Sequence, residues 1–187
     1  EDFAEPLDGP TFEWARDLAE HYNAYVVCGL AERAGTQLYN SAIVVAPSGN
    51  RIGSARKIHL ATHDREWATP GDRWAIVEIE QTRSGDGEGK PDESEATESV
   101  RLGVLIGSDT DVAESGAIMA LKRADVVAVP ASWHGEIAGD GKIAINPEIN
   151  PHADGRNAMV LWDEMAWGGQ YFAVVANMAE STRSPGG

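Results

Sequence analysis

Cysteine is nearly absent from this sequence: Cys28 is the only one in 187 residues. A lone thiol excludes an internal disulfide and any cysteine cage around a metal. Positive charge is also scarce. Against 30 Asp and Glu stand 15 Lys and Arg, a formal net charge of -15. Such a surface repels phosphate backbones, so nucleic acid is not expected as a partner. No apolar run approaches the roughly 20 residues of a membrane-spanning helix, and no signal peptide is recognised; no membrane span is expected, and a cytoplasmic location is. There is no phosphate loop or dinucleotide fingerprint. His59, His63, Asp64 and Glu66 have no spacing that would gather them on one helix face. No metal and no cofactor is therefore expected.

What is present is an ordinary globular balance, 42% hydrophobic, long enough for one domain with a real core. The chain is organised around 99–133, SVRLGVLIGSDTDVAESGAIMALKRADVVAVPASW. Val100 to Ile106 is an apolar run of strand length. Gly107-Ser108-Asp109 is a polar turn, residues from Val112 to Leu121 follow a helical period, and Val126 to Val129 form a second apolar run before Pro130. Strand, turn, helix and strand make a βαβ unit, and chemistry in open α/β sheets is placed at the carboxyl edge of such strands.

The rest of the chain supplies layers around that unit. An amphipathic helix is predicted over 10–22, with Phe12, Ala15, Leu18, Ala19 and Tyr22 on one face. Strands are predicted over 24–30, 38–46, 51–60 and 74–79, with a hairpin turn at Pro47-Ser48-Gly49-Asn50. Residues 61–72 read as a loop punctuated by Pro70-Gly71. The stretch 84–98 is acidic and nearly free of apolar residues, so an exposed inserted loop is expected. Residues 134–154 read as a long excursion, 157–170 as a helix and 171–176 as a strand. The whole of 1–187 reads as one domain, cut from a longer chain at both ends.

Three charged residues stand at strand ends or just beyond them: Glu32, Lys57 and Glu66. A carboxylate beside a lysine is a sensible general-base pair, because the ammonium orients the base and then stabilises developing negative charge. An ordinary salt bridge is the alternative, and spacing alone leaves the two equal. Cys28 lies within an apolar run and reads as packing. Ser108 follows a strand but lacks the Gly-x-Ser-x-Gly pattern of a nucleophile elbow.

Taken together, the motifs resemble those of the nitrilase, or carbon-nitrogen hydrolase, superfamily. The segment 26–32, VVCGLAE, resembles the one carrying the family's catalytic glutamate, and Leu38-Tyr39-Asn40-Ser41 the strand behind it. ARKIHL at 55–60 is similar to the lysine motif YRKxHL, and Glu66, before Pro70-Gly71, to a second glutamate. RLGVLIGSDTDVAE at 101–114, ADVVAVPASW at 124–133 and YFAVVAN at 171–177 match three further segments in order. The resemblance implies an α/β fold, an α-β-β-α sandwich that is partial at both ends here, in subunits that form homo-oligomers or join a larger assembly. It implies Glu32 as base, Lys57 and a backbone N–H as oxyanion holders, Glu66 beside them, and Ser108 and Trp133 at the ligand. The family's nucleophilic cysteine falls on Gly107, which has no side chain to attack with. Two functions follow from the resemblance. One is a module that has lost thiol-dependent C–N hydrolysis and serves structure, binding or assembly, still able to hold a small amide or carboxylate. The other is an amidohydrolase acting on a small amide, nitrile or N-carbamoyl compound without the thiol.

Overall fold

The computed structural model describes residues 3–82, 97–132 and 158–177. Helix α1 (Pro10–Tyr22) begins with Pro10 in its first turn, where the missing N–H is no loss, and ends at Asn23 in the left-handed conformation. The Glu5 carboxylate accepts hydrogen bonds from the Thr11 backbone N–H and hydroxyl, so an acidic group sits at the positive end of the helix.

Strands β1 (Val26–Ala34), β2 (Gln37–Val45) and β3 (Arg51–Arg56) form an antiparallel sheet in that order. A second sheet has the order β4 (Ala75–Thr82), β5 (Thr97–Val104), β6 (Val126–Pro130), β7 (Phe172–Ala176). The β4 and β5 pair is antiparallel, whereas β5, β6 and β7 are parallel. Helix α2 (Ala113–Leu121) connects β5 to β6, which is the predicted βαβ unit, and α3 (Ala158–Gly169) precedes β7.

Alternation along the strands divides the core into three layers. Ala42, Val44 and Ala55 of the first sheet meet Val77, Leu102, Val104 and Ala128 of the second. The opposite face of the first sheet packs Ile43 and Val45 on Ala15 and Ala19 of α1. The opposite face of the second packs Val127 and Val129 beneath Met119 of α2 and Met165 of α3. Helix, sheet, sheet, helix is the expected α-β-β-α order. No helix among the described residues is long and apolar enough to cross a membrane.

Several element boundaries differ from the sequence reading. Strand β1 runs on to Ala34 because Ala31–Ala34 pairs across a tight hairpin with Gln37–Asn40. Strand β3 stops at Arg56 rather than at residue 60: the Lys57 N–H still reaches the Asn40 carbonyl, but those of Ile58 and His59 turn to a side-chain acceptor. Pairing of β4 with β5 reaches Thr82 and Thr97, so residues 97 and 98 of the predicted acidic loop are strand; its remainder, 84–96, lies outside the described residues, as do the excursion 134–154 and Trp133.

Candidate active site

Two consecutive residues at the end of β3 point to opposite sides of the first sheet. Arg56 is in register with Ser41, whose neighbours on that face are Tyr39, Ile43, Leu30 and Glu32, so Arg56 lies on the α1 side. Its guanidinium donates to both oxygens of Glu32, at 2.9 and 2.5 Å. The Ser41 hydroxyl donates to the same carboxylate at 2.6 Å. The Arg56 guanidinium carbon also stands 3.7 Å from the Tyr39 ring centre, within cation–π range. Burial pushes the Glu32 carboxyl up, but the hydrogen bonds from Arg56 and Ser41 and the Arg56 charge outweigh it and hold the group below its ordinary value.

Lys57 faces the other way, between the sheets. Its backbone N–H donates to the Asn40 carbonyl at 2.8 Å, extending the ladder by one residue. Its ammonium donates to Asp64 Oδ2 at 2.5 Å. Asp64 also accepts from Asn40 Nδ2 and the Ala61 N–H, each at 3.0 Å. Lys57 and Asp64 are both buried. Burial pushes the Asp64 carboxyl up, yet the Lys57 bond and charge, with the Asn40 and Ala61 bonds, bring it below the ordinary range. Gly71 closes the site from the loop side by donating to the Lys57 carbonyl at 2.8 Å. A Cβ there would collide with the Arg56 carbonyl, so only glycine allows the approach.

The expected trio of Glu32, Lys57 and Glu66 is therefore not assembled. Glu32 and Lys57 are on opposite faces of one sheet, and strand alternation forbids their meeting. Glu66 is exposed. It shares a short 3-10 turn, Asp64–Glu66, with Asp64, and at three residues per turn the two side chains diverge by about 120°. Asp64 takes the place beside Lys57.

Past β5, Leu105 and Ile106 remain buried, and the chain then turns sharply at Gly107, whose φ is 48°. This left-handed strand-to-helix turn resembles a nucleophile elbow in backbone form, with a hydrogen where the nucleophile would be. Thr110 Oγ1 donates to the Gly107 carbonyl at 2.9 Å, and Trp162 Nε1 donates to Thr110 Oγ1 at 3.1 Å. The Ser108 hydroxyl donates to the His59 carbonyl at 2.7 Å. Elbow and Lys57 segment are thus brought together. Cys28 sits on the α1 face of β1, against the Ala15 and Ile43 cluster, where burial and then the Glu5 charge push its thiol up to about 11. A protonated thiol on that face does not stand in for the missing nucleophile.

A family model for carbon-nitrogen hydrolases matches residues 1–182. The chain belongs to the carbon-nitrogen hydrolase family. It is 35% identical over 126 residues to a protein named nitrilase from Pyrococcus abyssi, a match covering 67% of this chain and 41% of the relative. A protein N-terminal amidase of Saccharomyces cerevisiae is 39% identical over 61 residues, 32% of this chain and 13% of that protein. Among solved structures, Saccharomyces cerevisiae Nit3, a nitrilase-superfamily member, superposes with a TM-score of 0.69 over 98% of this chain and 58% of its own, at 18% identity. An N-terminal amidase structure gives 0.65 over 89% of this chain and 40% of its own, also at 18% identity. The chain therefore shares the carbon-nitrogen hydrolase fold and spans less than half the length of the curated relatives it matches.

Sequence reading missed Asp64, Arg56 and Asn40 as partners, and Asp109 altogether. The available signal was parity: Arg56 and Lys57 are adjacent in a strand, so one of them must face away from the inter-sheet core. Asp109 carried a weaker signal, an acid three residues beyond Ile106 that caps its own turn through the Ile106 N–H at 3.1 Å.

Proposed function

We propose that this carbon-nitrogen hydrolase domain holds a small amide or carboxylate beside Lys57 and does not run thiol-dependent hydrolysis. The observation that carries the reading is Gly107. The family chemistry as the resemblance implies it needs a thiolate at the elbow, and a glycine there leaves no atom to form the covalent intermediate. The buried Lys57–Asp64 pair supports a surviving binding role, since a desolvated cation is a strong partner for a carboxylate or a polarised carbonyl. The domain then acts as a binding or assembly module, as a homo-oligomer or within a larger assembly in the cytoplasm, and its acidic surface suits neither nucleic acid nor an anionic membrane.

A second reading, hydrolysis by direct attack of water, is favoured by the names of the relatives, which include nitrilases and amidases. Glu32 does not serve as its base on the far face of the sheet. Asp64, held below its ordinary range, is a weak base. That reading needs a base other than these two carboxylates.

Ammonia release from propionamide, propionitrile and N-carbamoyl-β-alanine separates the two, with the native chain and Gly107→Cys run side by side and their folding checked by circular dichroism. The proposed function expects silence from the native chain and a gain in the variant. Release by the native chain overturns it. Silence from both, with no Lys57-dependent binding of propionamide, overturns the surviving pocket as well.

A further inference from the structure

The Asp109 carboxylate gathers three backbone N–H groups from two separate segments. Oδ1 accepts from His59 at 2.7 Å and from Ile58 at 3.1 Å, the two residues that directly follow Lys57. Oδ2 accepts from Ile106 at 3.1 Å, the residue directly before Gly107. The His59 ring adds a fourth contact, with Nδ1 3.4 Å from Asp109 Oδ1 and 3.4 Å from the Ser115 hydroxyl. Asp109 itself is buried, within the short turn Gly107–Asp111. Among the described residues no strand pairing joins the Lys57 segment to the elbow, and side chains hold the two in register. The Ser108 hydroxyl is one such tie; Asp109 supplies two more, to Ile58 and His59, while its third bond, to Ile106, fixes the carboxylate on its own turn.

We propose that Asp109 is a positioning residue for Lys57: its carboxylate clamps the backbone after Lys57 to the backbone before Gly107, fixing the ammonium against the elbow. The proposal rests on the reading of Lys57 as the cation that holds the ligand. A carboxylate is the group this task needs, because it presents acceptors on both sides and no donor. An asparagine of the same shape has one oxygen and one NH2. Whichever way it turns, an NH2 faces either Ile106 or the Ile58 and His59 pair, and a buried N–H is left unsatisfied.

The test combines site-resolved hydrogen exchange with propionate titration of four proteins: the native chain, Asp109→Asn, Lys57→Met and the double variant. Asp109→Asn is expected to speed exchange at Ile58 and His59, or at Ile106, by roughly tenfold to a hundredfold over sheet amides such as Ile43, the loss appropriate to a hydrogen bond to a charged acceptor. It is also expected to weaken propionate binding about tenfold when Lys57 is present, and to cost nothing further in the Lys57→Met background. A purely structural Asp109 raises exchange evenly through the sheets and acts independently of Lys57, and either result overturns the proposal. If the native chain binds no propionate, the reading of Lys57 fails. The clamp is then judged by the 15N signal of the Lys57 ammonium, which must change in Asp109→Asn, and an unchanged signal overturns it. Should Asp109→Asn not fold, Asp109→Glu, which keeps the charge one methylene further out, must show the same selective exchange.

Discussion

The two faces of the first sheet carry ion pairs of the same closest approach, 2.5 Å, from adjacent residues in the chain. On the α1 face, Arg56 remains 36% exposed while it holds Glu32; between the sheets, Lys57 is 5% exposed and Asp64 1%. The outer pair can borrow water for its cation, and a serine and an aromatic ring share the load. The inner pair balances two desolvated charges with Asn40 and the Ala61 N–H to help, and with the exposed His63 ring 3.6 Å from Asp64 Oδ1. Burying an ion pair rarely adds stability over apolar packing of equal volume, whereas removing one member is expensive. The outer pair therefore reads as a fastener across the strands of the first sheet, joining β3 to β1, and the inner pair as a poised charge. This difference moves Glu32 out of the site and Asp64 into it.

Breaking the inner pair has the largest expected effect. Lys57→Met leaves Asp64 buried and uncompensated, and chemical denaturation should show a loss of about 3–5 kcal/mol. Arg56→Met should cost less, about 1–2 kcal/mol, because water reaches this side and Ser41 still donates to Glu32. If the two losses are equal, the contrast between the faces collapses.

Acid sharpens the same contrast. Glu32 and Asp64 both titrate below their ordinary values of 4.5 and 3.8. Each contributes stability that is present above those values and is lost as pH falls through the lower folded-state ones. Asp109 works in the opposite direction, since burial outweighs its three backbone bonds and raises its carboxyl; its ionised form costs stability at neutral pH. Denaturation midpoints should fall on going from pH 5 to pH 3. Asp64→Asn should flatten that slope, and Asp109→Asn should not. The smallest effect is expected at the elbow, where Gly107→Ala places a Cβ on a left-handed backbone at a cost of about 1 kcal/mol.

Much of this architecture was legible in the residues. Pro10 and the Ala15, Ala19 spacing marked α1 to its observed ends, and the apolar run, polar turn and helical period of 99–133 marked the parallel unit and its elbow. The positions of Lys57 and Gly107 came from the family resemblance, and the structure ties their segments together. Which face Glu32 occupies was not legible, because parity has meaning only once the register of β1 on β2 and the buried side of each sheet are known. The capture of Lys57 by Asp64 rather than Glu66 depends on a single 3-10 turn that leaves no periodic trace. Asp109 was hidden for another reason: two of its three backbone partners are N–H groups about 50 residues away in sequence, which no side-chain pattern reports.

The most direct test of the separation of faces is a propionamide titration of Glu32→Gln beside Lys57→Met, each with its fold verified. The account predicts that Glu32→Gln binds within about twofold of the native chain, as a substitution on an uncoupled face should, and that Lys57→Met loses binding. Equal loss in both variants would return Glu32 to the site and contradict the division of the two faces.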